Sequence, residues 1–189
     1  MAAFTNYFAL LHKWNRSIRL TGSTAVIDLK RHADEAQTLV PVLIKLSDAL
    51  HQRCALHVID IGSGGGFPAI PLALCCPTFR FTLVEPIAKK VSFLNACRRE
   101  LKLANVEVIR GRDENIANQE RQWDVAVSQA TFSPAVWLER GMELVRPGGH
   151  VLAMLGPNPG DIPMDTKIID VSFGENSRRI GLRARREGL

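Results

Sequence analysis

A glycine-rich turn directly after a short apolar run constrains the fold of this chain more than any other feature. It lies in the stretch HVIDIGSGGGFPAI at residues 57–70, where four of the five residues 62–66 are glycine. Because glycine has no Cβ and tolerates positive φ, a ligand can press against the backbone of such a turn. The pattern predicts the first strand, loop and helix of an α/β unit, with a ligand bound at the loop.

Short β-rich runs alternate with helical patterns along the rest of the chain. The runs that follow HVIDI are RFTLVE, VEVIRG, DVAVS and HVLAML. This alternation predicts a parallel sheet with helices on both faces. A closing pair of strands, KIIDVSF and RRIGLRA, is expected around a turn at residues 174–176. The length of 189 residues suits one domain of ordinary size.

Two helical signals are clearest. Apolar residues recur at three- and four-residue spacing through residues 4–14, which predicts an amphipathic helix before the first basic cluster. A second helix is expected to start at Pro86, because proline is favoured at the first helical position. Its apolar stripe is expected to run from Val91 to Leu101.

The glycine spacing narrows the kind of ligand. In the dinucleotide-binding pattern G-x-G-x-x-G, aligning Gly62 and Gly64 places Phe67 where the third glycine belongs, which disfavours NAD. A P-loop does not fit either, because no Lys-Ser or Lys-Thr pair follows the glycines. The remaining pattern suits a nucleoside that carries an amino acid and no phosphate. Glu85 ends the second predicted strand, where it either accepts hydrogen bonds from ribose hydroxyls or is a solvated acid.

Positive charge is concentrated toward the two ends of the chain, and the net charge is +5. The clustered residues are Lys13, Arg16, Arg19, Lys30 and Arg31 near the start and Arg178, Arg179, Arg183, Arg185 and Arg186 near the end. A basic surface raises the local concentration of polyanions, so nucleic acid is a natural partner. The alternative is that these residues only keep a small domain soluble.

Composition excludes some classes of protein. Apolar residues make up 46% and charged residues 23%, and no apolar run has the length of a membrane span. The first residues lack the features of a signal peptide, so we expect a cytoplasmic protein without a membrane partner. Cys54, Cys75, Cys76 and Cys97 lack the spacing of zinc ligands, so we expect free thiols and no metal.

Several motifs resemble those of one family, the bacterial small-subunit ribosomal RNA guanine-N7 methyltransferases called RsmG or GidB. The most particular is DIGSGGGFPAIPLA, whose Gly-Phe-Pro ending is more specific than its glycines. Further similar segments, in the family's order, are WNRSIRLTG, the pair Arg31-His32, LVEPIAKKVSFL and GRDENI. The resemblance runs from about Trp14 to Gly149. The Arg-Pro-Gly-Gly of residues 146–149 is common to many methyltransferases.

The resemblance implies a Rossmann-like class I methyltransferase fold, with a seven-stranded, mostly parallel sheet and helices on both faces. It implies S-adenosylmethionine as cofactor, S-adenosylhomocysteine as product and guanine N7 of 16S ribosomal RNA as methyl acceptor. The partner would be small-subunit ribosomal RNA or a ribosomal particle. We expect the protein itself to be a monomer. We expect a basic, RNA-facing helical extension at residues 1–50 and a compact methyltransferase domain at residues 51–189.

The resemblance also implies cofactor-binding roles for individual residues. Gly62, Gly64 and Phe67 would line the methionine and ribose side of the cofactor, and Glu85 would hold the ribose. For these residues the spacing leads to the same interpretation. Asp113 and Glu114 would border the adenine, a role that the resemblance alone suggests, because two acids at a helix start are also ordinary capping residues.

Gln129 follows the fourth predicted strand and is expected to touch both the cofactor and the incoming base. The family usually has arginine there, and Leu155 stands where it usually has lysine. The expected substrate-binding residues are Arg16, Arg19, Arg31 and His32. No catalytic acid or base is assigned, because guanine N7 has a free lone pair and no proton to lose.

Two alternatives remain open at the level of sequence. A methyltransferase that acts on a small molecule or on another RNA site would keep the glycine loop and lose the basic substrate residues. A protein that binds the cofactor or RNA without turnover would fit the neutral Gln129. The presence or absence of a methylated nucleoside in ribosomal RNA discriminates among these functions.

Overall fold

The computed structural model describes residues 2–49, 55–117, 123–129, 131–156, 158–173 and 176–186. The helices are α1 Ala2–Asn15, α2 Val26–Gln37, α3 Val40–Ala49, α4 Ala69–Cys75, α5 Ala88–Glu100, α6 Asp113–Ala117 and α7 Pro134–Arg140. The strands are β1 His57–Ile61, β2 Arg80–Glu85, β3 Val106–Arg110, β4 Trp123–Ser128, β5 Val145–Leu155, β6 Lys167–Phe173 and β7 Asn176–Ala184. A 3-10 turn, Gly141–Glu143, links α7 to β5.

The strands form one seven-stranded sheet in the order β3-β2-β1-β4-β5-β7-β6. The pairs from β3 to β5 are parallel, whereas β7 runs antiparallel to both β5 and β6. The predicted α/β fold with a mostly parallel sheet is therefore confirmed, as is the closing pair of strands. Residues 174–175 of the expected turn lie outside the described residues.

Apolar residues cover both faces of the sheet, as a parallel sheet requires. On one face, Tyr7 and Leu11 of α1 belong to the same buried cluster as Phe93 of α5. On the other face, Trp137 of α7 packs in a second cluster that includes Trp123 of β4. Five described positions of β4 are buried, which fits a central strand covered on both sides.

Helix α5 begins two residues later than the sequence predicts. Its first helical residue is Ala88, and Ile87 has extended backbone angles of φ −84° and ψ 112°. The reason is a hydrogen bond: the backbone N–H of Ile87 donates to Glu85 Oε1 at 2.9 Å. This bond holds Pro86 and Ile87 outside the helix, in the turn after β2.

Of the N-terminal helices, α1 packs against α4 and α5, and α2 packs against α4 and strands β6 and β7. The buried hydroxyl of Tyr7 donates to the carbonyl of Gly65 at 2.6 Å, so α1 contacts the glycine loop directly. The expected boundary between residues 50 and 51 lies outside the described residues, as does Cys54. Of the described cysteines, Cys75, Cys76 and Cys97 are free thiols.

The described ranges hold no helix of the length and apolarity that a membrane span needs. They also contain no cluster of three or more His, Cys, Asp or Glu residues arranged to hold a metal ion.

Candidate functional site

The glycine loop opens where the strand order changes direction. Strands β1 and β4 are neighbours at the centre of the sheet, with β2 and β3 on one side and β5 on the other. In open parallel sheets, the crevice at the carboxyl ends of such strands is the usual binding position. Residues 62–67 follow β1, and residues 129, 131 and 132 follow β4, so both sets border this crevice.

Gly64 and Gly66 serve different purposes in the loop, although both have positive φ, of 51° and 91°. A Cβ on Gly66 would lie 2.6 Å from Cγ1 of Ile70 and 2.9 Å from the hydroxyl of Tyr7, so this glycine allows close packing. A Cβ on Gly64 would meet nothing closer than the carbonyl of Gly62 at 3.6 Å. Gly64 therefore leaves space in the crevice, where a ligand can contact the backbone.

Glu85 holds the glycine loop in place through a hydrogen bond. Its side chain is buried at 3% exposure, and Oε2 accepts a 2.9 Å hydrogen bond from the backbone N–H of Gly64. The other oxygen accepts from Ile87. A carboxylate has about four acceptor positions, so two remain for a ligand's hydroxyls.

Asp60 lies buried at the end of β1 beneath the loop. Neither carboxylate oxygen has a hydrogen-bond partner among the described residues. Burial raises the pKa of Asp60 to about 8; the nearby Ser63 opposes this rise, and Glu85 adds a smaller contribution to it. At neutral pH this carboxyl group is therefore mostly protonated, and it can donate as well as accept a hydrogen bond.

The crevice has two lobes. The Glu85 lobe, a cavity of about 360 Å³, is lined by Gly62, Glu85, Ile87, Lys90, Asp113, Glu114, Phe132 and Arg140, among others. The Phe67 lobe, of about 330 Å³, is lined by Leu20, Thr21, His32, Gly62, Gly64, Phe67, Lys90 and Gln129, among others. All seven expected cofactor residues thus line one lobe or both, and so does His32.

Thr131 lies between the two lobes and lines both. Its Oγ1 would be 2.3 Å from a Cβ on Gly62, whose φ is 74°. Gly62 is therefore required both by its backbone conformation and by the close approach of Thr131. A ligand that occupies both lobes passes beside this threonine, a contact that sequence reasoning missed.

Asp113 and Glu114 are paired with an arginine that sequence reasoning also missed. Nε of Arg140 donates to Asp113 Oδ2 at 2.7 Å, and its Nη2 donates to Glu114 Oε1 at 2.9 Å. The guanidinium lies 5.0 Å from the ring centroid of Phe132, which stacks on Trp137 with an interplanar angle of 7°. This cluster closes the far end of the Glu85 lobe with an aromatic ring and two ion-paired acids.

At the other end, Phe67 lies between Tyr7 and His32, with ring centroids 5.4 Å and 5.5 Å away. The segment that follows α1 borders the same lobe, and Asn15 holds it in place. Oδ1 of Asn15 accepts hydrogen bonds from the backbone N–H groups of Leu20 and Thr21. The segment WNRSIRLTG, residues 14–22, thus forms part of the wall of the Phe67 lobe.

A third cavity, of about 290 Å³, adjoins the Phe67 lobe, and Gln129 lines both. We call it the Glu35 cavity. Its walls include Glu35 from α2, Arg178 from β7, and the apolar side chains of Phe132, Trp137 and Met154. Nη2 of Arg178 donates to Glu35 Oε1 in an ion pair. A guanidinium therefore lines this cavity even though residue 129 is neutral.

The structure does not bring the expected basic substrate residues into the cavities. Arg16 and Arg19 are exposed after α1, and Arg31 is exposed on α2, with its nearest acids, Asp28 and Glu35, 3.7 and 3.8 Å away. Arg178 was grouped with the basic tail by sequence. Its partner is 143 positions away, so only a tertiary contact identifies it.

Comparison with known proteins gives one family over most of the chain. The family model GidB, described as rRNA small subunit methyltransferase G, matches residues 1–165. A relative with that name from Clostridium botulinum is 33% identical over 180 residues, which cover 91% of this chain and 71% of the relative. One from Polynucleobacter asymbioticus is 38% identical over 144 residues, covering 75% of this chain and 63% of the relative. The chain thus spans 63–71% of the length of these relatives.

Solved structures are similar at the level of the fold. Cofactor-bound Rv0187 from MTB superposes with a TM-score of 0.64 at 16% identity, covering 100% of this chain and 91% of that one. An O-methyltransferase from Bacillus cereus in complex with SAH gives a TM-score of 0.61 at 14% identity, covering 96% and 91%. Both likenesses support the Rossmann-like methyltransferase fold.

Proposed function

Because the chain belongs to the GidB family, the rRNA small subunit methyltransferases G, we propose that it methylates N7 of a guanine in 16S small-subunit ribosomal RNA, with S-adenosylmethionine as methyl donor. One observation carries this proposal beyond the family match. Gly64, Phe67 and Glu85 converge on one crevice at the switch point of the sheet, where the fold binds its ligands. The protein acts as a monomer in the cytoplasm.

The crevice fits the cofactor by two tests of shape and chemistry. A side chain on Gly64 would occupy open space in the Phe67 lobe, so the loop is built for contact with a ligand. The buried acids Glu85 and Asp60 provide acceptors near the loop, the first for ribose hydroxyls. Ile87 and Phe132, beside Asp113 and Glu114 in the Glu85 lobe, would supply apolar walls for the adenine. The bound cofactor supplies an electrophilic methyl group on a sulfonium.

The chain's own task in the transfer is to position the base and exclude water. Guanine N7 carries a free lone pair, so no side chain has to remove a proton before the attack. Gln129 lies on the wall shared by the Phe67 lobe and the Glu35 cavity, where it can contact both the donor and the acceptor. Holding two reactants in line contributes several kcal/mol, about 7–11 in favourable intramolecular cases.

The exposed Arg16, Arg19 and Arg31 are proposed to bind RNA phosphates around the crevice, and His32 to contact the substrate from the wall of the Phe67 lobe. Phosphate contacts orient the RNA without reading its sequence. The basic N-terminal helices would then form the RNA-facing part of the protein. Their packing against the glycine loop through Tyr7 keeps this surface beside the cofactor.

The decisive experiment is nucleoside mass analysis of small-subunit ribosomal RNA from cells with and without the gene. We expect 7-methylguanosine at one position only when the gene is present. Purified protein should restore it in unmodified RNA or subunits when S-adenosylmethionine is added. A methylated nucleoside of another kind would indicate a different RNA site. Unchanged RNA in both assays would favour a small-molecule acceptor or binding without turnover.

A further inference from the structure

The residues that line the Glu35 cavity combine apolar walls with a few polar groups, a composition suited to a molecule with an apolar face and a polar edge. Apolar side chains form much of its wall, namely Phe132, Pro134, Trp137, Met154 and Leu155. Its polar groups are few and belong to Glu35, Ser128, Gln129 and Arg178. Because Gln129 also lines the Phe67 lobe, a molecule in this cavity is adjacent to the proposed cofactor.

The side chain of Glu35 lines the cavity and is held in place by basic neighbours. Its side chain is 13% exposed, and Arg178, which also lines the cavity, donates to Oε1. Arg31 Nη1 lies 3.8 Å from the same oxygen. His32 Nδ1 lies 3.7 Å from Oε2. The oxygens of this side chain are hydrogen-bond acceptors, and Arg178 occupies one acceptor position. The carboxylate therefore selects for a ligand with N–H or O–H donors.

Gln129 leaves a polar atom without a partner at the boundary of the two cavities. Its Oε1 is buried and has no hydrogen-bond partner among the described residues. Leaving a buried amide unpaired is unfavourable, and rotation of the terminal group presents either its oxygen or its NH2. The shared wall thus offers an adaptable hydrogen-bonding group to a ligand.

We propose that the Glu35 cavity receives the target base and that Glu35 reads the Watson–Crick edge of guanine, an inference that rests on the proposed function. Guanine alone among the four bases has two adjacent donors on that edge, N1–H and the 2-amino group, which match the two oxygens of a carboxylate. Adenine and cytosine place an acceptor beside their amino group, and uracil has a single N–H between two carbonyls. Glu35 is thereby a specificity-determining residue.

The placement of Glu35 also agrees with methylation at N7. In guanine, N7 lies on the edge opposite the 2-amino group. Glu35 lines the cavity but neither cofactor lobe, whereas Gln129 lines the cavity and the Phe67 lobe. A base held by Glu35 on one edge therefore turns N7 and O6 toward Gln129 and the methyl donor. Arg178 acts through Glu35, as the residue that positions the carboxylate.

The test compares Glu35→Gln with Glu139→Gln in methyl transfer to unmodified ribosomal RNA. Both variants neutralise a glutamate that is paired with an arginine, but Glu139 pairs with Arg183 and does not line the Glu35 cavity. We expect Glu35→Gln to lower kcat/KM for RNA by about tenfold or more, because one of two matched acceptors becomes a donor. Glu139→Gln should keep the wild-type rate, and both should bind S-adenosylmethionine normally.

A binding measurement makes the result independent of turnover and of RNA contacts elsewhere. Guanosine 5′-monophosphate is titrated into wild type saturated with S-adenosylhomocysteine, and the indole N–H signal of Trp137, a cavity wall residue, is followed by NMR. We expect a shift with guanosine monophosphate, a smaller one with inosine monophosphate and none with adenosine monophosphate. The double variant Glu35→Gln/Arg178→Gln, which keeps a neutral pair in place of the ion pair, should lose this preference.

The outcomes separate the two proposals. If wild type transfers methyl groups and Glu35→Gln is as fast as Glu139→Gln, Glu35 does not read the base and the inference is wrong, while the proposed function stands. If wild type transfers no methyl group to ribosomal RNA, the proposed function fails. The nucleotide titration alone then tests the inference about Glu35. A Trp137 shift that is equal for the guanine and adenine nucleotides, or absent for both, then overturns the inference.

Discussion

A hydrogen bond joins Glu85 to Gly64, two residues that sequence spacing assigns to the same ligand. Glu85 Oε2 accepts a 2.9 Å hydrogen bond from the backbone N–H of Gly64, 21 positions away. The second oxygen holds Ile87 and thereby delays the start of α5. One buried carboxylate thus fixes both the glycine loop and the turn after β2, and the two together form walls of the crevice.

Glu85→Gln should therefore weaken both cofactor binding and the apo fold. An amide NH2 replaces one oxygen and faces a backbone N–H, which removes a charge-assisted hydrogen bond of about 1.5–3 kcal/mol. We expect at least tenfold weaker binding of S-adenosylmethionine by calorimetry, and a lower Tm without ligand. Glu107→Gln, at an exposed position of the neighbouring strand, is the matched control and should change neither quantity.

Gly64→Val should abolish cofactor binding, because the side chain would fill open space in the Phe67 lobe. It would also strain a backbone with φ of 51°. Gly160→Ala separates the two effects, since Gly160 has φ of 73° but no atom near its Cβ, and it lines neither lobe. We expect this control to lower Tm and leave cofactor affinity intact. If Gly64→Val bound the cofactor as tightly as wild type does, the glycine loop would be excluded from the binding site.

Asp60 should make stability fall as pH rises. Its pKa in the fold, about 8, is raised above the unfolded value near 4, so between these values the folded chain binds more protons than the unfolded chain. The stability present at low pH is then lost as pH rises toward 8, by at most about 1.4 kcal/mol per pH unit.

Asp60→Asn should remove this slope, which urea unfolding from pH 6.5 to 8 measures. Below that window, the lowered pKa values of His57 and His150, caused chiefly by burial, give the opposite slope in both proteins. Parallel curves for wild type and variant above pH 6.5 would contradict the raised pKa of Asp60.

Arg16→Ala/Arg31→Ala should flatten the salt dependence of RNA binding. Each lost phosphate contact reduces the slope of log affinity against log salt by about 0.7–0.9. Arg98→Ala/Arg99→Ala removes the same charge from the exposed end of α5 and serves as the control. Filter binding at several salt concentrations measures both slopes. If the slope of Arg16→Ala/Arg31→Ala equals that of wild type, Arg16 and Arg31 only solubilise the surface.

The sequence by itself determined the α/β alternation, the glycine loop and the approximate places of Glu85, Asp113 and Gln129. These features are local: strand periodicity, glycine density and the position of a residue at a strand end are properties of neighbouring residues. The residues expected from spacing line the two lobes for this reason, whereas Asp113 and Glu114, which also line the Glu85 lobe, were expected from the family resemblance alone. The carboxyl ends of parallel strands meet at one edge, so residues placed at those ends converge.

Only the tertiary structure decided which groups these residues meet. The start of α5 depends on Glu85, a residue outside the helix, which overrides the preference of proline for the first helical position. Thr131 lies against Gly62 because β1 and β4 are parallel neighbours, so the residues that follow them meet at one edge of the sheet. Arg178 enters the Glu35 cavity because β7 inserts antiparallel beside β5 and brings a tail residue to α2. Sheet order and register set such contacts, and no spacing along the chain encodes them.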